Sequence, residues 1–288
     1  MDTHFSAPAL RDTLAAAARA ADAATLQRVD AQLDVWETQS AYWEALLAVA
    51  LDALGNTRGE VPFDTYVNAR RLAMIRFKNG ISKYWRARIV NRVAVTISRE
   101  AKARIRTRLL DVLHEPDRAV AVQAAVAIAR IARLDYPGEW PELVPTLQDA
   151  LVQAAAAAHA AAESRTLAHS AAPTLTLLHA ADVLRQCLKE FESVRVLAGK
   201  MRMTEMARGL LPVLQPVYEQ LFQDTFSHDV AAAWISAPGT AERVRASHLL
   251  LKVLHRLSLA DTGVVAARVD ASRPNLAYSF FLCTPPQL

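Results

Sequence analysis

Arg76, Asn79 and Lys83 stand three and four residues apart within the stretch 69–85. At about 100° per residue they share one side of a helix, while Met74, Phe77, Ile81 and Trp85 share the other. An uncharged amide between two cations makes hydrogen bonds and charge pairs. The chemistry it offers is recognition of an acidic partner surface. The apolar side has to pack on a neighbouring helix. Two roles stay open for Asn79: contact with a partner, or a bridge to the backbone of the next structural unit. Farther along, Gln123 and Arg130 lie opposite the apolar stripe of Val120, Ala124, Ile128 and Ile131.

Groups capable of bond-making chemistry do not assemble into a pattern. His159, His169 and His179 are ten residues apart, a spacing that does not keep them on one helical face. They read as surface or core residues. Asp135 and Glu139 flank a turn and read as helix caps or amide acceptors rather than an acid/base pair. Cys187 lies in an apolar segment and is expected to be buried and inert. Trp140 reads as packing at a junction, and Tyr84 and Trp85 as a cover for the end of a core. No HExxH, GxGxxG, P-loop or GxSxG motif occurs. The expectation is a binding protein without cofactor or metal, not an enzyme.

The elements that position these residues are helical. Only eight glycines occur in 288 residues, alanine is abundant, and strand-like alternation is hard to find. Two cysteines are too few for a disulfide framework and fit a reducing compartment. The start, Met-Asp-Thr-His, has no basic region followed by an apolar one, and no run of about 20 apolar residues exists to span a membrane. The net charge of +4 is unevenly placed: residues 70–108 hold thirteen Lys or Arg against one acid, Glu100. Such a run attracts acidic proteins or nucleic acid, or is simply a solvated face.

Periodicity predicts helices over 8–22, around 26–36, and over 41–54 with Ser40 as N-cap and Gly55-Asn56 as its end. Pro62 opens the long helix that carries Arg76. Ser98 caps the next, Glu115-Pro116-Asp117 turns into another, and Tyr136-Pro137-Gly138 stops that one. A helix from Trp140 runs into the alanine tract 154–162, read as exposed helix or a loose loop. A further helix is expected to end near Gly199, then one over 203–226 bent or broken by Pro212 and Pro216, and a last over 242–259. From Asp261 the pattern fades, and the end reads as a truncation or an altered reading of a longer chain. A helix pair about every 40–50 residues is the period of HEAT or armadillo repeats. The fold class expected is all-α: a HEAT/armadillo-like right-handed α-solenoid of about five helix pairs.

Several stretches resemble the N-terminal domain of the importin-beta superfamily: Trp43-Glu44-Ala45-Leu46-Leu47; Arg71 to Ile81, with Phe-Lys-Asn for the usual Leu-Lys-Asn; Tyr84-Trp85; and Ile128 to Pro137 followed by Glu139-Trp140-Pro141-Glu142-Leu143. Lys83 to Arg86 and Ala132 to Asp135 are most similar to its importin-eleven branch, and Leu249 to Leu257 echoes a later helix of that branch. The match covers about residues 25–150 well and weakens to about 258.

The resemblance implies a nuclear transport receptor, shuttling between nucleus and cytoplasm and passing the nuclear envelope, that grips Ran in its GTP form on the concave face of its first repeats. Inner helices would be about 24–37, 62–86 and 117–134. Implied Ran contacts are Arg76, Lys78, Asn79 and Lys83, with Gln123 and Arg130 as weaker choices. Protein cargo and nucleoporins would be further partners, the cargo site being incomplete because family members hold several times as many repeats. The implied division is an Ala-rich helix over 1–23, Ran-binding repeats over 24–150, further repeats over 151–260 and an irregular tail over 261–288. Family members are usually acidic, whereas this chain has a pI near 9.2. The alternative is therefore a HEAT-like scaffold binding nucleic acid or an acidic protein through Arg70–Arg108. A helical-repeat enzyme such as a DNA-repair glycosylase is disfavoured: no carboxylate sits in an aromatic-rich cleft pattern.

Overall fold

A computed structural model describes residues 5–52, 62–86, 97–163, 171–193, 197–226 and 240–260, and the backbone of 88–90 and 93–95. The expected Gly55-Asn56 helix end, His169, Cys283 and the tail 261–288 lie outside them. The first pair is α1 (Ala7–Arg19) with α2 (Ala23–Trp36), and the second is α3 (Ser40–Ala50) with α4 (Phe63–Tyr84). Then come α5 (Arg99–Leu109), prolonged by a 3-10 turn over Leu110–His114, with α6 (Arg118–Asp135). The fourth pair is α7 (Leu143–Glu163) with α8 (Ala171–Glu192), and the fifth α9 (Leu197–Phe226) with α10 (Thr240–Ala260).

The pairs stack in two layers. Helices α4, α6, α8 and α10 pack side by side, with α3, α7 and α9 behind their partners. Helix α1 packs on both α2 and α4 and closes one end. Among the described residues this is a helical solenoid of five pairs, and each pair buries its apolar stripe on the next.

Local chemistry starts these helices. Ser6, Asp22, Ser98 and Asp117 each accept a backbone N–H from the first turn that follows, each cap being worth about 1 kcal/mol. The cap expected from Ser40 is not made. Ser40 is already helical, and its hydroxyl accepts the N–H of Ser98, 3.4 Å away, tying α3 to the start of α5.

The core under α4 is aromatic. Trp36, Tyr42, Trp43, Phe77 and Trp85 are almost fully buried. Trp43 meets Tyr42, Phe77 and Tyr84 with ring centroids 5.1, 6.4 and 5.3 Å apart. Each such pair adds about 0.5–1.5 kcal/mol to its area burial.

Four expectations need correcting. A two-stranded antiparallel hairpin, β1 (Arg88–Val90) and β2 (Val93–Val95), stands where no strand was foreseen. Its β-branched residues flank Asn91-Arg92, a short strand–turn–strand signal inside a helical chain. The helix expected to reach Gly199 ends at Glu192, and Gly199 lies in the first turn of α9. Helix α9 runs unbroken through Pro212 and Pro216. Both prolines and Arg208 are exposed, so the carbonyls that lose their helical donors, Arg208 and Pro212, face water. Of the two readings of the alanine tract the helix holds, but it is not simply exposed: Ala154, Ala155, Ala158 and Ala161 are buried.

Candidate partner-binding face

Helix α4 presents three arcs. Ala69, Arg70, Ala73, Met74, Phe77, Gly80, Ile81 and Tyr84 are buried. Arg76 and Lys78 sit at the two edges of that arc. Asn68, Ile75, Asn79 and Ser82 are exposed on the far side and share one face by spacing.

The edge at Arg76 faces α2. Its guanidinium, 15% exposed, pairs with Asp30 and lies 3.4 Å from both Asp34 and Glu37. Burial works against its charge, but hydrogen bonds to Asp30 and Asp34 and the surrounding acids hold its pKa above the ordinary value. Lys83 adds a looser pair to Glu37 at 3.9 Å. These two cations clamp α4 to α2.

The opposite edge faces α6. Lys78 Nζ donates to Gln123 Oε1 at 2.8 Å. Arg130 Nη1 donates to the Lys78 carbonyl at 2.9 Å and to Ser82 Oγ at 3.1 Å. Burial, with the nearby Arg130 charge, presses the Lys78 ammonium below its ordinary pKa.

The six residues singled out from sequence thus fall into two clamps and one exposed amide. Asn79 lies between the clamps, and its side chain makes no hydrogen bond to another described residue. Sequence reasoning passed over Ile75, 40% exposed and one turn from Asn79, and Asn68 beyond it. The signal was available: residues 68, 75, 79 and 82 repeat at helical spacing. It also missed the acids on α2, which use up the Arg76 charge.

The basic run 70–108 changes character in three dimensions. Among the described residues, seven of its cations hold ion pairs: Arg70–Glu115, Arg71–Asp117, Arg76–Asp30, Lys83–Glu37, Arg99–Glu139, Arg104–Glu44 and Arg106–Asp135. Lys102 lies over the Trp85 ring. Much of the apparent patch is mortar between helices, with correspondingly less surface for phosphates.

The remaining candidates are structural. Asp135 accepts from Arg106 Nη1 at 2.7 Å and Trp85 Nε1 at 3.0 Å, joining α4, α5 and α6. Glu139 pairs with Arg99 at 3.5 Å. Trp140 is buried. Cys187 is fully buried, and burial pushes its thiol pKa up. His159 Nδ1 lies 3.0 Å from Asp224 across α7 and α9. Among the described residues no His, Cys, Asp and Glu group could hold a metal ion, and no helix is long and apolar enough to cross a membrane.

Residues 29–115 match the family described as the importin-beta N-terminal domain. The chain is 38% identical to mouse importin-11 over 131 residues, which is 45% of this chain and 12% of that protein. It is 30% identical to the importin beta-like protein KAP120 of Saccharomyces cerevisiae over 227 residues, 78% of this chain and 19% of that protein. Among solved structures it is similar to Lph2, a bidirectional nuclear transport receptor of S. cerevisiae: TM-score 0.58, 27% identity, 80% of this chain and 19% of that one. The fold is also shared with the exportin Cse1 in its cargo-free, cytoplasmic state, with TM-score 0.63 and 17% identity over 88% of this chain and 24% of that one. The chain thus spans a small fraction of the length of these relatives.

Proposed function

Because the chain belongs to the importin-beta superfamily, in which it is most like the importin-eleven branch, we propose that it binds Ran-GTP through the inner face of its first three helix pairs, as part of a nuclear transport receptor. The observation that carries this is the exposed strip of Ile75, Asn79 and Ser82 between two clamps. The clamps fix α4 against α2 and α6, so the strip is rigid before any partner arrives. Ile75 supplies an apolar contact, Asn79 both a donor and an acceptor, and Lys78 and Arg130 positive potential beside them. In this reading Arg76 and Lys83 shape the site more than they touch the partner.

Protein cargo and nucleoporins are further partners under this proposal, with shuttling between cytoplasm and nucleus and passage through the nuclear envelope. The test is titration of the chain with Ran loaded with GTP or with GDP at physiological salt. The reading expects clear preference for the GTP form. Equal or absent binding by a folded chain contradicts it.

A further inference from the structure

The first turns of α4 and α6 frame a groove of about 760 Å³. Phe63, Tyr66 and Val67 line it from α4, and Pro116, Arg118 and Val122 from the start of α6. Phe63 is 72% exposed, the most exposed large hydrophobic residue among those described. It lies 16 residues from Asn79, which is about 24 Å along the helix.

The charges around the groove are unequal. Arg70 is closed off by Glu115 at 2.6 Å and the Ala50 carbonyl. Arg71 pairs with Asp117 at 2.9 Å, and Asp117 also accepts the first N–H groups of α6. Arg118 is exposed and holds no ion pair among the described residues. Helix α4 begins at Pro62 without a side-chain cap, so its first-turn amides add positive potential, and Asp64 of that turn is not in the lining. An apolar floor thus meets a rim with surplus positive charge.

We propose that this groove docks a short acidic peptide segment, with one aromatic side chain lodged among Phe63, Val67 and Val122 and carboxylates facing Arg118 and the start of α4. One observation favours peptide over nucleic acid: the Arg70 guanidinium already covers the Tyr66 ring, 5.9 Å from its centroid, and competes with a stacking base for it. The inference does not rest on the Ran reading, because it uses none of the residues of the Asn79 strip.

The experiment is fluorescence anisotropy on the full chain. The probes are a labelled Glu/Ser peptide with a single Phe, the same peptide with Ala for Phe, a Lys/Ser peptide with Phe, and a mixed single-stranded oligonucleotide. The Glu/Ser/Phe peptide binds saturably, and losing its Phe weakens binding about tenfold or more. Arg118→Glu and Phe63→Ser, both at exposed positions, each weaken it by a similar factor while circular dichroism stays unchanged. Asn79→Ala with Lys83→Ala leaves it unaltered. No saturable binding by the parent, equal binding of the Ala or Lys peptide, or tighter binding of the oligonucleotide overturns the proposal.

Discussion

Gly80 of α4 lies directly beneath the indole of Trp43 of α3: a methyl group there would sit 1.9 Å from Trp43 Cη2 and 2.0 Å from Cζ3. The ring belongs to a fully buried aromatic cluster and cannot step aside, so the absence of a side chain sets the distance between the two helices. Gly80→Ala is expected to destabilise the chain by about 1–3 kcal/mol, although alanine favours helix by about 1 kcal/mol over glycine. Gly209 of α9 is the control. Nothing lies within 4 Å of its added Cβ, so Gly209→Ala should stabilise by about 0.5–1 kcal/mol. Urea midpoints of the two variants should move in opposite directions.

Arg70 and Glu115 form an ion pair with side chains 4% and 2% exposed. Glu115→Ala leaves the guanidinium buried over the Tyr66 ring with the Ala50 carbonyl as its remaining hydrogen-bond acceptor, and a loss of about 3–5 kcal/mol is expected. Replacing both, with Arg70→Met and Glu115→Leu, should recover much of that loss, because two desolvated charges disappear together. Equilibrium denaturation of the single and double variants checks this, and a double variant weaker than the single contradicts it.

Removing the Arg76 side chain leaves Glu37, which is 7% exposed, with the looser Lys83 pair at 3.9 Å and loosens α2 from α4. Arg76→Ala should cost about 2–3 kcal/mol, less than a fully buried pair because Asp30 and Asp34 remain hydrated. Hydrogen exchange should show the loss first in α2. Uniform change across the chain would contradict the clamp role.

His179 of α8 is 5% exposed, and its ring nitrogens lie near the Val112 and Leu113 backbone without hydrogen-bond geometry. Burial holds its pKa below the ordinary 6.5. The folded state therefore keeps a neutral ring where the unfolded chain takes up a proton. Its contribution is intact above pH 6.5 and is lost as pH falls through the depressed folded value. The melting temperature of the parent should fall from pH 7 to pH 5 more steeply than that of His179→Met. Parallel profiles would rule this histidine out as a source of the acid sensitivity.

How much of this was legible in the sequence follows from which contacts are local. Helix periods, the cap at Ser98 and the buried face of α4 depend on neighbours within a turn, and they read directly. The partners of Arg76, at Asp30 and Asp34, lie more than 40 residues away, so the polar face of α4 looked uniformly free. The thirteen cations of 70–108 looked like a patch for the same reason: Glu44, Glu115, Asp117 and Asp135 come from other helices and turns. Pro212 and Pro216 were weighed for the bonds they remove and not for the four-residue spacing that turns both gaps to water. Ile75 escaped notice because an apolar residue is assigned to the core by default.

The proposed Ran-GTP site is the exposed strip between the two clamps of α4, and the most direct test compares Ran-GTP and Ran-GDP binding by the parent chain and by a double variant, Ile75→Ala with Asn79→Ala. Both positions are exposed, so the variant should unfold at the same urea concentration as the parent. The prediction is preference of the parent for the GTP form and a loss of affinity of about tenfold or more in the variant. Parent and variant binding Ran-GTP equally well, or a parent indifferent to the nucleotide, would contradict it.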